Sequence, residues 1–179
     1  RERLKMALSL LMCWRGIPIL TYGTEAGLSG RTEGSNRAPM PFGADPELEE
    51  LTRRLVKLRR AVSAFPRGRQ AALLADREVF AFLRDDHDTR ALCILNNSRA
   101  PQERVVEFPR AGKPAVWLDA FTGERIAERH GKLRLELPPR SARVLVVGWR
   151  VAQPGTAERL ASIRPGSSKR RTRQGSSPA

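Results

Sequence analysis

The sequence predicts an α/β segment over residues 1–66, an all-β antiparallel sandwich over 67–149 and an irregular basic tail over 150–179. Three observations carry this. Leu48, Leu51, Leu55, Leu58 and Val62 recur at spacings of three and four, the apolar stripe of a surface helix. Lys132-Leu133-Arg134-Leu135-Glu136-Leu137 alternates polar and apolar residues, which buries one face of a strand. From Gln153 onward Pro, Gly, Ser and Arg dominate, and such a composition cannot bury enough surface to fold.

Leu4, Ala7, Leu8 and Leu11 predict an amphipathic helix from the start of the chain to Trp14. Gly16-Ile17-Pro18-Ile19-Leu20-Thr21-Tyr22 then reads as a short buried strand, with Pro18 tolerated near its beginning. Asp45 is a good N-cap and Pro46 a good first helical residue, so the leucine-striped helix starts there. It runs to about Ala64 and ends at Pro66, with Glu49/Arg53 and Glu50/Arg54 as outer i,i+4 pairs. From Ala72 the segments shorten. Val79–Leu83, Ala91–Leu95, Arg104–Phe108, Ala115–Leu118, Lys132–Leu137 and Arg143–Val147 read as strands separated by turn residues. Strands so spaced, with no helix between them, predict a small sandwich.

The net charge of +14 raises nucleic-acid binding as a function. Two features argue against it. Arginine outnumbers lysine 28 to 5, a skew that a GC-rich coding sequence produces by itself, and residues 150–179 hold seven basic residues against one acid. No aromatic-interleaved basic stripe occurs in the body, so a nucleic-acid partner is not expected and the tail reads as a solvated segment. No apolar run reaches the roughly 18 residues of a membrane span, so no membrane partner is expected. No secretory leader is visible, and a chain starting inside a helical pattern reads as a piece of something longer. The compartment stays open, with the cytoplasm favoured.

Cys13 and Cys93 lie in apolar surroundings and lack a second ligand at metal spacing, so both read as buried reduced thiols. Asp85-Asp86-His87-Asp88 gathers three carboxylates and an imidazole, but neighbours in a tight turn point apart and Asp is favoured in turns for its own sake. A solvated turn is expected there, a surface turn at His130, and no metal site at either.

The stretch Gly23–Gly43, with five glycines and two prolines, is far longer than the usual connection of about 4–6 residues. Ordered elements bound it on both sides, which favours a functional loop.

Several segments, in order, resemble the α-amylase family of retaining glycoside hydrolases, especially its neopullulanase and cyclomaltodextrinase-like members. Gly16-Ile17-Pro18-Ile19-Leu20-Thr21-Tyr22-Gly23-Thr24-Glu25 is similar to that family's last barrel strand, and Asn36-Arg37-Ala38-Pro39-Met40-Pro41-Phe42 to the element that follows it. Val79–Arg84, Leu95–Ser98, Asp119-Ala120-Phe121-Thr122-Gly123-Glu124 and Leu137–Ala142 resemble its C-terminal β domain. The resemblance implies that residues 1–66 are the incomplete C-terminal end of a (β/α)8 barrel, whose active site lies at the C-terminal ends of the strands. The long loop would then face the catalytic cleft.

The resemblance also implies an α-glucan or maltooligosaccharide substrate, no organic cofactor, and an open question about calcium. Retaining hydrolysis needs two carboxyl groups roughly 5–5.5 Å apart. The family carries them, and a third aspartate, on strands before the segment where this chain begins, so no catalytic residue is expected here and the N-terminal barrel portion is needed. By carry-over, Glu33 and Arg37 are the substrate-binding candidates, with Glu33 where the family usually has Asp; an ion pair that merely pins the loop is the competing reading. Tyr22 and Glu25 are candidates for supporting the loop. An alternative function is a non-catalytic remnant, or a module binding carbohydrate or nucleic acid.

Overall fold

The computed structural model describes residues 1–30, 32–108 and 115–148. The expected tail at 150–179 lies outside them.

Helix α1, Glu2–Cys13, is built from strong helix formers and buries Leu8, Met12 and Cys13. After it the chain departs from expectation. Residues 16–22 join no ladder, and Ile17 and Ile19 are 90% and 82% exposed. The predicted strand is an extended, unpaired segment, because backbone pairing needs a neighbour and the strands of the described residues pair with one another. No barrel is formed among the described residues. A 3-10 turn at Thr24–Ala26 and the short helix α2, Glu33–Asn36, interrupt the long loop.

Helix α3, Pro46–Ala61, starts as expected: Pro46 occupies its first turn and the Asp45 carboxylate accepts from Leu48 N at 3.2 Å. It ends at Ala61, and Pro66 sits inside a second short helix, α4, Ala64–Arg67, whose first turn requires no intrahelical N–H there. The expected outer pairs do not form. Arg53 pairs with Glu50, Glu49 accepts from Gly43 N at 2.9 Å, and Arg54 donates to Phe121 O at 2.8 Å while its guanidinium lies over the Phe121 ring.

Among the described residues eight antiparallel strands follow: β1 Arg69–Ala75, β2 Val79–Asp85, β3 Thr89–Asn96, β4 Gln102–Glu107, β5 Val116–Asp119, β6 Arg125–Ala127, β7 Lys132–Leu137 and β8 Ser141–Gly148. The first sheet has the order β1-β2-β3-β8-β5-β6, and β4 pairs with β7 in the second. The alternation of β7 places Leu133, Leu135 and Leu137 inward and Lys132, Arg134 and Glu136 outward, as predicted.

The centre of the six-stranded sheet is buried on both faces, which explains the nearly continuous apolar runs of β2 and β3. One face carries Phe82, Ala91, Cys93, Val144 and Val146 and packs against Cys13 of α1, Leu58 of α3, Val62 and Phe65. The opposite parity, Ala81, Leu83, Leu92, Ile94 and Leu145, meets Val106, Leu133, Leu135 and Leu137 from the two-stranded sheet. The result is a helix layer, a sheet and a second sheet, with residues before and after Pro66 sharing one core.

Two arginines join the layers. Arg84 is 0% exposed and has no carboxylate partner among the described residues; it donates to Cys13 O at 3.0 Å, Gly68 O at 2.9 Å and, more weakly, Arg69 O at 3.4 Å. Arg59 donates to Met12 O at 2.6 Å and Trp14 O at 3.1 Å. Helix α1 has no basic residue in its own last turn. Cations from β2 and α3 therefore satisfy its terminal carbonyls and complement the negative end of its dipole.

Candidate functional site

The loop from Gly23 to Gly43 is a folded unit whose shape follows from local chemistry. Gly23, with φ 82°, turns the chain into the 3-10 turn, and Gly27, with φ 72°, turns it out again. Leu28 N then donates to Gly23 O at 2.9 Å, so closely that a Cβ on Gly23 would lie 2.6 Å from the Leu28 side chain. Thr32 and Ser35 form a reciprocal capping box: Ser35 N donates to Thr32 Oγ1 at 3.2 Å, and Thr32 N to Ser35 Oγ at 3.0 Å. At the far end Glu49 accepts from Gly43 N, and the buried Asp45 carboxylate also meets Arg1 Nε at 2.9 Å.

Helix α2 places Glu33 and Arg37 one turn apart. Arg37 Nη2 meets Glu33 Oε1 at 2.7 Å, and the two side chains are 76% and 77% exposed. An ion pair this exposed contributes about 0–1 kcal/mol to stability. Its chemical content is the surface it presents, carboxylate acceptors beside the further N–H donors of a planar guanidinium. Tyr22 is half exposed, and its hydroxyl donates to Ala38 O at 3.4 Å, tying the loop's entry to the residue after Arg37. Glu25, half buried on the 3-10 turn, makes no side-chain hydrogen bond or ion pair among the described residues. The structure thus brings Glu33 and Arg37 together, sets Tyr22 near them through Ala38, and leaves Glu25 apart.

The remaining titratable clusters have structural partners. Asp86 accepts from Asp88 N at 2.9 Å and Thr89 N at 2.8 Å, closing the β2–β3 turn. Burial raises its carboxyl, but donors from Ser63, Thr89 and Asp88 outweigh that and hold it below the usual carboxylate range. His130 and Gly131, with φ 51° and 74°, form the two-residue turn between Arg129 and Lys132, whose backbones bond each other at 2.9 Å both ways. Among the described residues no group of three or more His, Cys, Asp or Glu is placed to hold a metal ion. Cys13 and Cys93 are free, buried members of the same core cluster, and the Cys13 thiol together with burial pushes the Cys93 thiol well up.

Sequence reasoning did not find Arg59, Arg84 or the Arg143 cluster. Arg143 Nε meets Asp119 Oδ2 at 2.9 Å, and its Nη2 meets Glu124 Oε2 at 2.5 Å. The Asp119–Glu124 motif was the available signal, but nothing local names Arg143 as its partner.

Residues 71–144 match the family model of the maltogenic amylase C-terminal domain. The sandwich belongs to that family. About four fifths of the chain is similar to glycoside hydrolases of the α-amylase family. It is 30% identical over 148 residues to neopullulanase 2 of Thermoactinomyces vulgaris, covering 80% of this chain and 25% of that protein. It is 31% identical over 144 residues to the cyclomaltodextrinase of Geobacillus thermopakistaniensis, covering 77% of this chain and 24% of that one. Among solved structures, an Anoxybacillus α-amylase matches with a TM-score of 0.74 and 27% identity over 82% of this chain and 32% of its own. The α-amylase of Geobacillus thermoleovorans, solved with acarbose, matches with a TM-score of 0.75 and 25% identity over 81% and 33%. The chain therefore spans about a quarter of the length of the curated relatives and a third of the structural ones.

Proposed function

We propose that the chain forms the C-terminal part of a retaining glycoside hydrolase that acts on α-glucans, neopullulanase- or cyclomaltodextrinase-like. In this reading residues 1–66 supply the last β/α segment of a (β/α)8 barrel, 67–149 form its C-terminal sandwich, and the catalytic carboxylates stand on sequence outside this chain. The loop Gly23–Gly43 becomes one wall of the sugar cleft.

The extent of the similarity carries this reading. The family match lies within residues 71–144, whereas the alignment with neopullulanase 2 takes in 80% of the chain and so reaches beyond the sandwich into the helices and loop. The exposed Ile17 and Ile19 agree with it, since a strand of a parallel barrel is apolar on both faces and is left bare without its neighbours. Glu33 and Arg37 contact vicinal sugar hydroxyls through their combined acceptors and donors. Tyr22 and Glu25 support the base of the loop. An α-glucan substrate is supported by the names of the relatives and by the acarbose complex of the Geobacillus α-amylase.

The test is a chimera in which this chain replaces the corresponding C-terminal quarter of neopullulanase 2. The chimera is expected to hydrolyse maltooligosaccharides, and the 179-residue chain alone to show no turnover. Arg37→Ala in the chimera should lower kcat/KM by about 10–100-fold, the loss of one hydrogen bond to a charged group. Turnover by the isolated chain, or a folded chimera without activity, would defeat the proposal.

A further inference from the structure

Away from the loop, β7 pairs with β4 on one side only, and its other edge faces a groove of about 1220 Å³ bounded by β5, β6 and the start of β8. The parity of the strand decides which backbone groups are open there. Phe108 N donates to Gly131 O at 2.8 Å, so the backbone groups of the odd residues, Leu133 and Leu135 included, point towards β4. Those of the even residues point the other way: Lys132 exchanges hydrogen bonds with Arg129 at 2.9 Å in both directions, and Glu136 O accepts from Arg143 Nη1 at 3.2 Å. Between them the Arg134 N–H, the Arg134 carbonyl and the Glu136 N–H have no partner among the described residues. We infer that the chain's own basic segment, residues 167–175, docks on this open edge as an added strand.

Charge selects the segment. Four carboxylates, Glu103, Asp119, Glu124 and Glu136, and two guanidiniums, Arg134 and Arg143, line the groove. Its lining is thus acidic in a chain of net charge +14. Both guanidiniums are neutralised locally, Arg134 by Glu103 and Arg143 by Asp119 and Glu124, and Glu136 stands outside those pairs. Residues 150–179 hold seven basic residues against one acid, and Lys169, Arg170, Arg171 and Arg173 fall within five positions. Alternate side chains of an extended strand share a face, so Lys169, Arg171 and Arg173 present three cations about 7 Å apart on one side. Ile126, Pro138 and Pro139 offer apolar surface on which their stems can lie.

Reach and rigidity allow the contact. Ser141 at the start of β8 lines the groove, and β8 ends at Gly148, about 23 Å away at the rise of a strand. Lys169 lies 21 positions after Gly148, a length of chain that spans up to about 70 Å, so the segment can return to the groove. Docking is then intramolecular, and the high effective concentration offsets the small contribution of each exposed ion pair. The receiving side is built beforehand: buried Asp119 accepts from Phe121 N at 2.9 Å, Thr122 N at 3.1 Å and Arg143 Nε at 2.9 Å, which lowers the ordering cost of binding.

The experiment follows amide hydrogen exchange by NMR in the 179-residue chain and in its variant Lys169→Glu/Arg171→Glu/Arg173→Glu, with the buried Leu92 and Ile94 of β3 as internal references for the fold. The Arg134 and Glu136 amides are expected to exchange about tenfold or more slowly in the parent than in the variant, while the reference amides agree. Salt at about 1 M should bring the parent to the variant's rate by screening. A synthetic peptide of residues 165–177 added in excess should restore protection to the variant, and the same peptide with the three charges reversed should not. The inference is overturned by an Arg134 amide that exchanges as fast in the parent as in the variant, by protection that survives charge reversal, by failure of the peptide to restore it, or by protection that rises with chain concentration, which marks a second copy on the edge.

Discussion

Replacing Arg84 by Met tests whether a buried cation bonded to backbone carbonyls holds the helix layer to the sheet. Arg84 is fully buried, and burial pushes its guanidinium below the ordinary value, so the site charges a desolvation cost. Against that stand two good hydrogen bonds, 3.0 Å to Cys13 O and 2.9 Å to Gly68 O, and a weak third to Arg69 O. Methionine has a similar stem and fills most of the space, so little cavity energy is lost. What is lost is the donors, leaving two buried carbonyls unsatisfied at about 1–3 kcal/mol each. After subtracting the relieved desolvation, we expect Arg84→Met to destabilise the chain by about 2–4 kcal/mol. With a urea m-value of about 1–3 kcal/mol/M, the midpoint should fall by roughly 1–2 M while m stays constant. Arg84→Lys should lie between, because an ammonium cannot span carbonyls on α1 and at Gly68 with one planar fork. A Met variant as stable as the parent, or more stable, would refute the reasoning by showing that the buried charge costs as much as its bonds return.

Three further outcomes are expected. Cys13 and Cys93, both within 1% of full burial, should be silent to a thiol reagent at neutral pH and react together once urea unfolds the chain; fast native labelling would contradict the shared core. Asp76 sits at about 2 because Arg104 and the amides of Glu78 and Val79 bond its carboxylate. Its folded value is depressed, so its stabilisation is complete above about pH 4 and is lost as the pH falls towards 2; the gap in urea midpoint between the parent and Asp76→Asn should close over that range. Gly68→Ala should destabilise by about 1–3 kcal/mol, since a Cβ there would lie 2.5 Å from Ala64 O and 2.9 Å from Asp85 O, both backbone atoms; an unchanged melting temperature would show that α4 can shift away.

Helix α3 and strand β7 were legible because their signals are local. An N-cap, a proline and a leucine stripe need no knowledge of the rest of the chain, and strict alternation declares a half-buried strand. Strand β1 was not legible, since a bulge between Ala72 and Leu74 breaks its alternation, and β6 is only three residues long. The Glu33–Arg37 pair was within reach of sequence reasoning because i,i+4 spacing on a helical turn is enough to bring it together. The pairs expected on α3 had the same spacing and did not form, because Phe121 and Gly43 offered Arg54 and Glu49 better partners.

The sequence by itself determined helices α1 and α3, strands β2 to β5, β7 and β8, and the family to which the sandwich belongs. Tertiary structure decided the rest. Residues 16–22 have the composition of a strand, yet a strand exists only when another backbone accepts its hydrogen bonds, and none does among the described residues. Arg84 reads as a polar residue near the end of an apolar run, yet it meets a carbonyl 71 positions away. Such contacts depend on which surfaces the core brings together, and one residue's neighbours in sequence do not contain that information.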